Sequence, residues 1–139
     1  MRLAIPGILT LLFFGCTHPD PMPDIRIHKI DSNSISVSGL DKSITADIGR
    51  DTTAGVWQSF LPVYKMPADT DMKDFQTPQT GKYVVKDSLV IFTPDTVFKK
   101  GQTYFLRYFD YQGNKDAWQA LNEKKKLGSA GHRDLIFSY

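Results

Sequence analysis

From Ile25 onward, apolar and polar residues alternate with a period of two, the mark of strands whose successive side chains face opposite sides. Ile25, Ile27 and Ile30 mark a first strand, and Ile35 and Val37 a second that Gly39 closes. Ile44, Ala46 and Ile48 alternate with Thr45 and Asp47 and predict a short third. Residues 56–64 are apolar and aromatic but broken by Pro62, which suits an edge strand or a bend because proline has no N–H for a ladder. Residues 65–82 read as a polar connection punctuated by Pro67, Pro78 and Gly81. Further strands fall at 83–85, 89–92 and 103–109, and residues 135–139 close the chain. About seven short strands between turn residues predict an all-β fold, an antiparallel β-sandwich, over a single domain at 25–139.

One stretch leaves the period of two. Asp116 and Gln119 form a capping pair, Ala117, Trp118 and Leu121 share a helical face, and Gly128 is a stop signal. Residues 117–127 therefore predict one short helix inserted before the last strand. Lys124, Lys125 and Lys126 would occupy its last turn, where cations suit the helix dipole. The strand at 103–109 is apolar on both faces, with Tyr104, Leu106 and Tyr108 on one and Phe105 and Phe109 on the other. Such a strand needs cover on both sides, and the helix carrying Trp118 is the candidate cover.

The first residues follow a different logic. Met1-Arg2 precedes an almost wholly apolar run at 3–14, then Gly15-Cys16. A short basic start, a hydrophobic run and a small residue describe a secretory signal. The run is shorter than the roughly 20 apolar residues that a spanning helix needs. Pro19, Pro21 and Pro23 then give residues 16–24 the character of an extended, semi-rigid tether.

Composition narrows the function classes. The chain has 139 residues, 17 Lys+Arg against 15 Asp+Glu, and one cysteine. Near-balanced charge argues against a nucleic-acid partner. A single Cys excludes both an intrachain disulfide framework and a cysteine-built zinc site. Removing residues 1–15 takes away Arg2 and leaves the remainder close to neutral.

Two resemblances sharpen this picture. Leu12-Phe13-Phe14-Gly15-Cys16 resembles the lipobox of bacterial lipoproteins of the Bacteroidota type, with Phe13 where leucine is usual. The resemblance implies a signal peptide at 1–15 and lipidation of Cys16. With Thr17 rather than Asp after the cysteine, it implies an outer-membrane location in the cell envelope, facing the periplasm or the outside. In the body, Ser88-Leu89-Val90-Ile91-Phe92-Thr93-Pro94 is followed by Phe98, Gly101 and Tyr104. That spacing resembles the E-to-F corner of Ig-like and fibronectin-III-like domains, with Phe98 and Lys100 where leucine and proline are usual. It implies an Ig-like sandwich in which the Tyr104 hydroxyl folds back onto backbone upstream.

Catalytic chemistry is thinly represented. The histidines are His18 in the tether, His28 on the first strand and His132 after a Gly-Ser-Ala-Gly stretch, with no nucleophile elbow beside any of them. Asp69, Asp71 and Asp74 cluster carboxylates, and Asp110, Gln112, Asn114 and Asp116 space oxygen groups at alternate positions. Neither set has the glycine or closing glutamate of an EF-hand calcium loop. No metal or cofactor is expected. Trp57, Tyr64, Tyr111 and Trp118 are the candidate ligand-binding aromatics, Tyr111 and Trp118 foremost because they flank the insertion at 112–132. The expected function is a non-enzymatic binding or assembly module anchored to the membrane at Cys16, with an envelope protein or a glycan as partner. The alternatives are a surface glycan-binding accessory protein, or a small periplasmic inhibitor or immunity-type protein acting through residues 65–82.

Overall fold

A computed structural model describes residues 23–50, 54–109 and 131–139. Cys16, the tether before Pro23, the helix expected at 117–127, Tyr111 and Trp118 lie outside the described residues.

Seven strands form two antiparallel sheets. They are β1 (Arg26–Lys29), β2 (Ile35–Ser38), β3 (Val63–Lys65), β4 (Gly81–Lys86), β5 (Leu89–Pro94), β6 (Thr103–Phe109) and β7 (His132–Ser138). One sheet has the order β1-β2-β5-β4 and the other β3-β6-β7. This is the A-B-E-D against C-F-G arrangement of a constant-type Ig-like sandwich. The alternation read from the sequence sets the register. Ile35 pairs with Phe92 and Val37 with Val90 in one sheet. Val63 and Leu135 flank Leu106 in the other. These residues face inward and are buried with Tyr104, Tyr108 and Phe98, apart from Leu135, which packs half-buried against them.

Two strand expectations are corrected. Residues 44–48 belong to a helix, α1 (Lys42–Arg50), and 56–60 to a second, α2 (Ala54–Phe60). The Asp41 carboxylate accepts the Ser43 N–H at 2.8 Å, a helix-capping bond that an alternating strand has no use for. In α2, Trp57, Phe60 and the following Leu61 stand at i, i+3 and i+4 and are all buried. Pro62 ends the helix instead of bending a strand, and β3 begins after it. The described helices thus sit between β2 and β3. Among the described residues no helix is long and apolar enough to cross a membrane.

The expected corner is formed. Lys99 N–H donates to the Tyr104 hydroxyl at 2.9 Å, and Gly101 takes a φ of 76° to let the chain turn into β6. Tyr104→Phe should leave that N–H short of a partner and cost about 1 kcal/mol, read as a lower urea midpoint with an unchanged slope. A second glycine is held more tightly. Gly39 has a φ of 84°, and a Cβ there would collide with the Asp24 carbonyl oxygen. Gly39→Ala should therefore cost more than about 1 kcal/mol, through both strain and clash.

Antiparallel pairing assigns every connection to one of two ends. The start of β1, the end of β2, the start of β3, the β4–β5 turn at Asp87-Ser88, the end of β6 and the start of β7 share one end. The β1–β2 turn, the β3–β4 connection, the β5–β6 corner and Tyr139 share the other. Contacts agree with this: Tyr139 donates from its hydroxyl to Ser34 O at 2.8 Å, and Lys29 Nζ donates to Ser138 O at 2.8 Å. The start of β1 thus lies at the end opposite the β5–β6 corner.

Candidate functional site

Alternation along β6 sends Phe105 and Arg107 to the outer face of the β3-β6-β7 sheet, yet both are buried. Part of their cover comes from a 3-10 helix, Thr70–Phe75, within the β3–β4 connection. The Asp69 carboxylate starts it by accepting the Asp71 N–H at 3.0 Å. Lys73 and Asp74 then reach down to the sheet. Lys73 Nζ lies 4.8 Å from the Phe105 ring centroid and 2.7 Å from Asp134 Oδ2. Arg107 and Asp134 are cross-strand partners. Arg107 donates to both Asp134 oxygens, at 2.8 and 2.9 Å, and to Asp74 Oδ1 at 2.7 Å.

This is a bidentate, charge-assisted pair with a further charge on each partner. Burial works to raise the Asp134 carboxyl, but hydrogen bonds and charge from Arg107 and Lys73 outweigh it and hold the carboxyl below its ordinary value. The hydrogen bond to Asp134 likewise raises the Arg107 guanidinium. Burial raises the hydroxyl of Tyr64, whose ring stacks on Phe105 at 4.9 Å.

With Lys73 and Asp74 clamped, their neighbours are left at the surface. Met72 and Phe75 stand three apart, the spacing at which side chains eclipse on a 3-10 helix. Phe75 is 77% exposed, the most exposed of the large apolar residues described. Next to it, Gln76 belongs to the wall of an open cleft of about 420 Å³, shared with Lys65-Met66-Pro67-Ala68 and Gly101-Gln102-Thr103. The cleft lies between the β3–β4 connection and the β5–β6 corner, at the end remote from the start of β1.

The expected ligand-binding aromatics fall differently. Trp57 is 3% exposed, stacked on Tyr83 with centroids 6.0 Å apart, and is a core residue closed to ligands. Tyr64 is half-buried, and with Arg107 5.8 Å from its ring it belongs to the covered outer face beside the site. Tyr111 and Trp118 lie outside the described residues, as do Asp110–Asp116 of one calcium lead. In the other lead the carboxylates are divided between tasks, Asp69 capping and Asp74 pairing Arg107. Among the described residues no group of three His, Cys, Asp or Glu could hold a metal ion. His28 and His132 are exposed on β1 and β7, on different sheets.

Phe75, Gln76 and Gln102 were not singled out from the sequence. The available signal was Met72 and Phe75 at i, i+3 inside an otherwise polar stretch. Compared with family models, with curated proteins and with solved structures, the chain matches none significantly. The functional reading therefore rests on geometry and sequence chemistry.

Proposed function

We propose that the chain is a lipid-anchored, non-enzymatic binding module of the cell envelope, held at the outer membrane through Cys16. The observation that carries the reading is an arrangement along the chain. An apolar run ends on the only cysteine, a proline-rich segment follows, and that segment leads into the first strand of the sandwich. A stretch of nine residues such as 16–24 can span at most about 30 Å, short enough to keep the domain near a surface. The cleft and Phe75 sit at the opposite end, where a partner could reach them.

An apolar residue as exposed as Phe75, on a segment fastened by the Lys73–Asp134 and Asp74–Arg107 ion pairs, supports a binding role over a merely solvated loop. The β3–β4 connection does not stand out as a free inhibitory loop. Lys73 and Asp74 fasten it to the sheet, and Gln79 N–H donates to Val63 O at 2.7 Å.

Envelope fractionation tests the anchor. The wild-type chain is expected to stay with membranes through a high-salt wash, and Cys16→Ala to move to the soluble fraction, because acyl burial is insensitive to salt. Retention of Cys16→Ala on washed membranes would contradict the reading.

A further inference from the structure

The cleft beside Phe75 carries enough chemistry to name a class of ligand. Two of its residues are glutamines whose NH2 groups are committed to backbone carbonyls. Gln76 donates to Met72 O at 2.8 Å, and Gln102 donates to Thr103 O at 2.9 Å and Met66 O at 3.3 Å. Those bonds fix both amide planes. Each side-chain carbonyl oxygen is left as an acceptor with no protein donor among the described residues. Lys65, exposed in the same wall, adds an ammonium donor. Gly101 lies opposite with open space where a Cβ would stand.

Other occupants fit less well. An extended peptide adds to a strand edge, and on the edge of β3 Gln79 N–H already takes Val63 O, one of its few free groups. A polyanion would meet Asp69 and Asp71, both exposed in the segment that carries Phe75. An acyl chain would bury its length against amides and an ammonium. A pyranose ring offers an apolar C–H face to Phe75. Its hydroxyls donate and accept at once, matching the fixed carbonyl oxygens of the two glutamines and the Lys65 ammonium.

We propose that this cleft, together with the exposed Phe75 that precedes its Gln76 in the chain, binds a neutral saccharide. The inference names the ligand of the binding module above and rests on that reading for its setting, while its chemistry stands on the cleft alone.

The test is a titration of the full chain with neutral β-linked tetrasaccharides of glucose, xylose and N-acetylglucosamine. It is followed through the amide resonances of Gly101, Gln102 and both glutamine side chains. Saturable shifts with at least one sugar are expected. Phe75→Ala should weaken binding about ten-fold, as loss of an aromatic anchor does. Val84→Ala, at an exposed apolar position on the other sheet, should leave it unchanged. Phe75 contributes so little to the core that its variant should fold, and Gln76→Ala provides a second, independent loss of affinity. Absence of shifts with all three sugars, or equal binding by wild type and Phe75→Ala, overturns the proposal. Saccharide binding without membrane retention would remove the anchor and keep the site, and the reverse result would keep the anchor alone.

Discussion

Trp57→Ala is expected to lower stability by about 3–5 kcal/mol, the range for deleting a large buried aromatic side chain. Trp57 is among the most deeply placed side chains of α2. It stacks on Tyr83 and meets Phe60 at 6.2 Å, and Phe60 in turn meets Tyr108 edge-on at 5.7 Å. That chain of rings ties the helix to both sheets. The Tyr83 hydroxyl also donates to Leu61 O at 2.9 Å, so a collapse around the missing indole would disturb a hydrogen bond as well as packing. A large drop in the urea midpoint is therefore expected, with saccharide affinity unchanged in conditions where the variant is folded. A loss below about 1 kcal/mol would place Trp57 at a surface rather than in the core.

Asp134→Ala should cost about 3 kcal/mol, because it strands a guanidinium whose side chain is 10% exposed. Asp74 would remain as its partner, but the Asp74 side chain is 70% exposed and supplies a single oxygen. Lys73 would lose its carboxylate too, so amide exchange at residues 70–75 should rise with the loss of stability. Replacing both members, as Arg107→Met with Asp134→Leu, should recover much of the deficit, since no buried charge is then left alone.

The pH dependence has a definite sign. A carboxyl held below its ordinary value in the fold contributes stability that is fully present above the unfolded value, about 4, and is lost as pH falls through the folded value. The wild type should therefore lose stability in that acidic window more steeply than Asp134→Ala. Parallel curves would mean that the pair contributes nothing that titrates.

The β1-β2-β5-β4 sheet was legible in the alternation, because one-sided burial imposes a period of two on residues such as Ile35, Val37, Val90 and Phe92. The corner was legible as well. Gly101 and Tyr104 answer to a local geometry that few other residues satisfy, a left-handed turn and a hydroxyl returning to Lys99. The two helices were not. Over five residues, Ile44, Ala46 and Ile48 fit a strand and Ile44 with Ile48 also fits a helix, so the decision fell to Asp41 as a cap. At 57–61 the helical spacing was present, but the aromatic and apolar run with Pro62 masked it.

The candidate site was hidden for another reason. Arg107 finds Asp74 and Asp134 across 33 and 27 residues of chain, a pairing that no local pattern announces. Without that clamp, Phe75 reads as one apolar residue in a polar connection. Once Lys73 and Asp74 are pinned to the sheet, its exposure becomes a property of the fold.

The anchor at Cys16 is the claim on which the setting of the whole molecule depends. Mass analysis of the N-terminal peptide of the chain, purified from its native envelope, tests it most directly. The expected peptide begins at Cys16, lacks residues 1–15, and carries a diacylglyceryl group and an amide-linked acyl chain. A peptide that retains residues 1–15, or one with an unmodified Cys16 thiol, would contradict it.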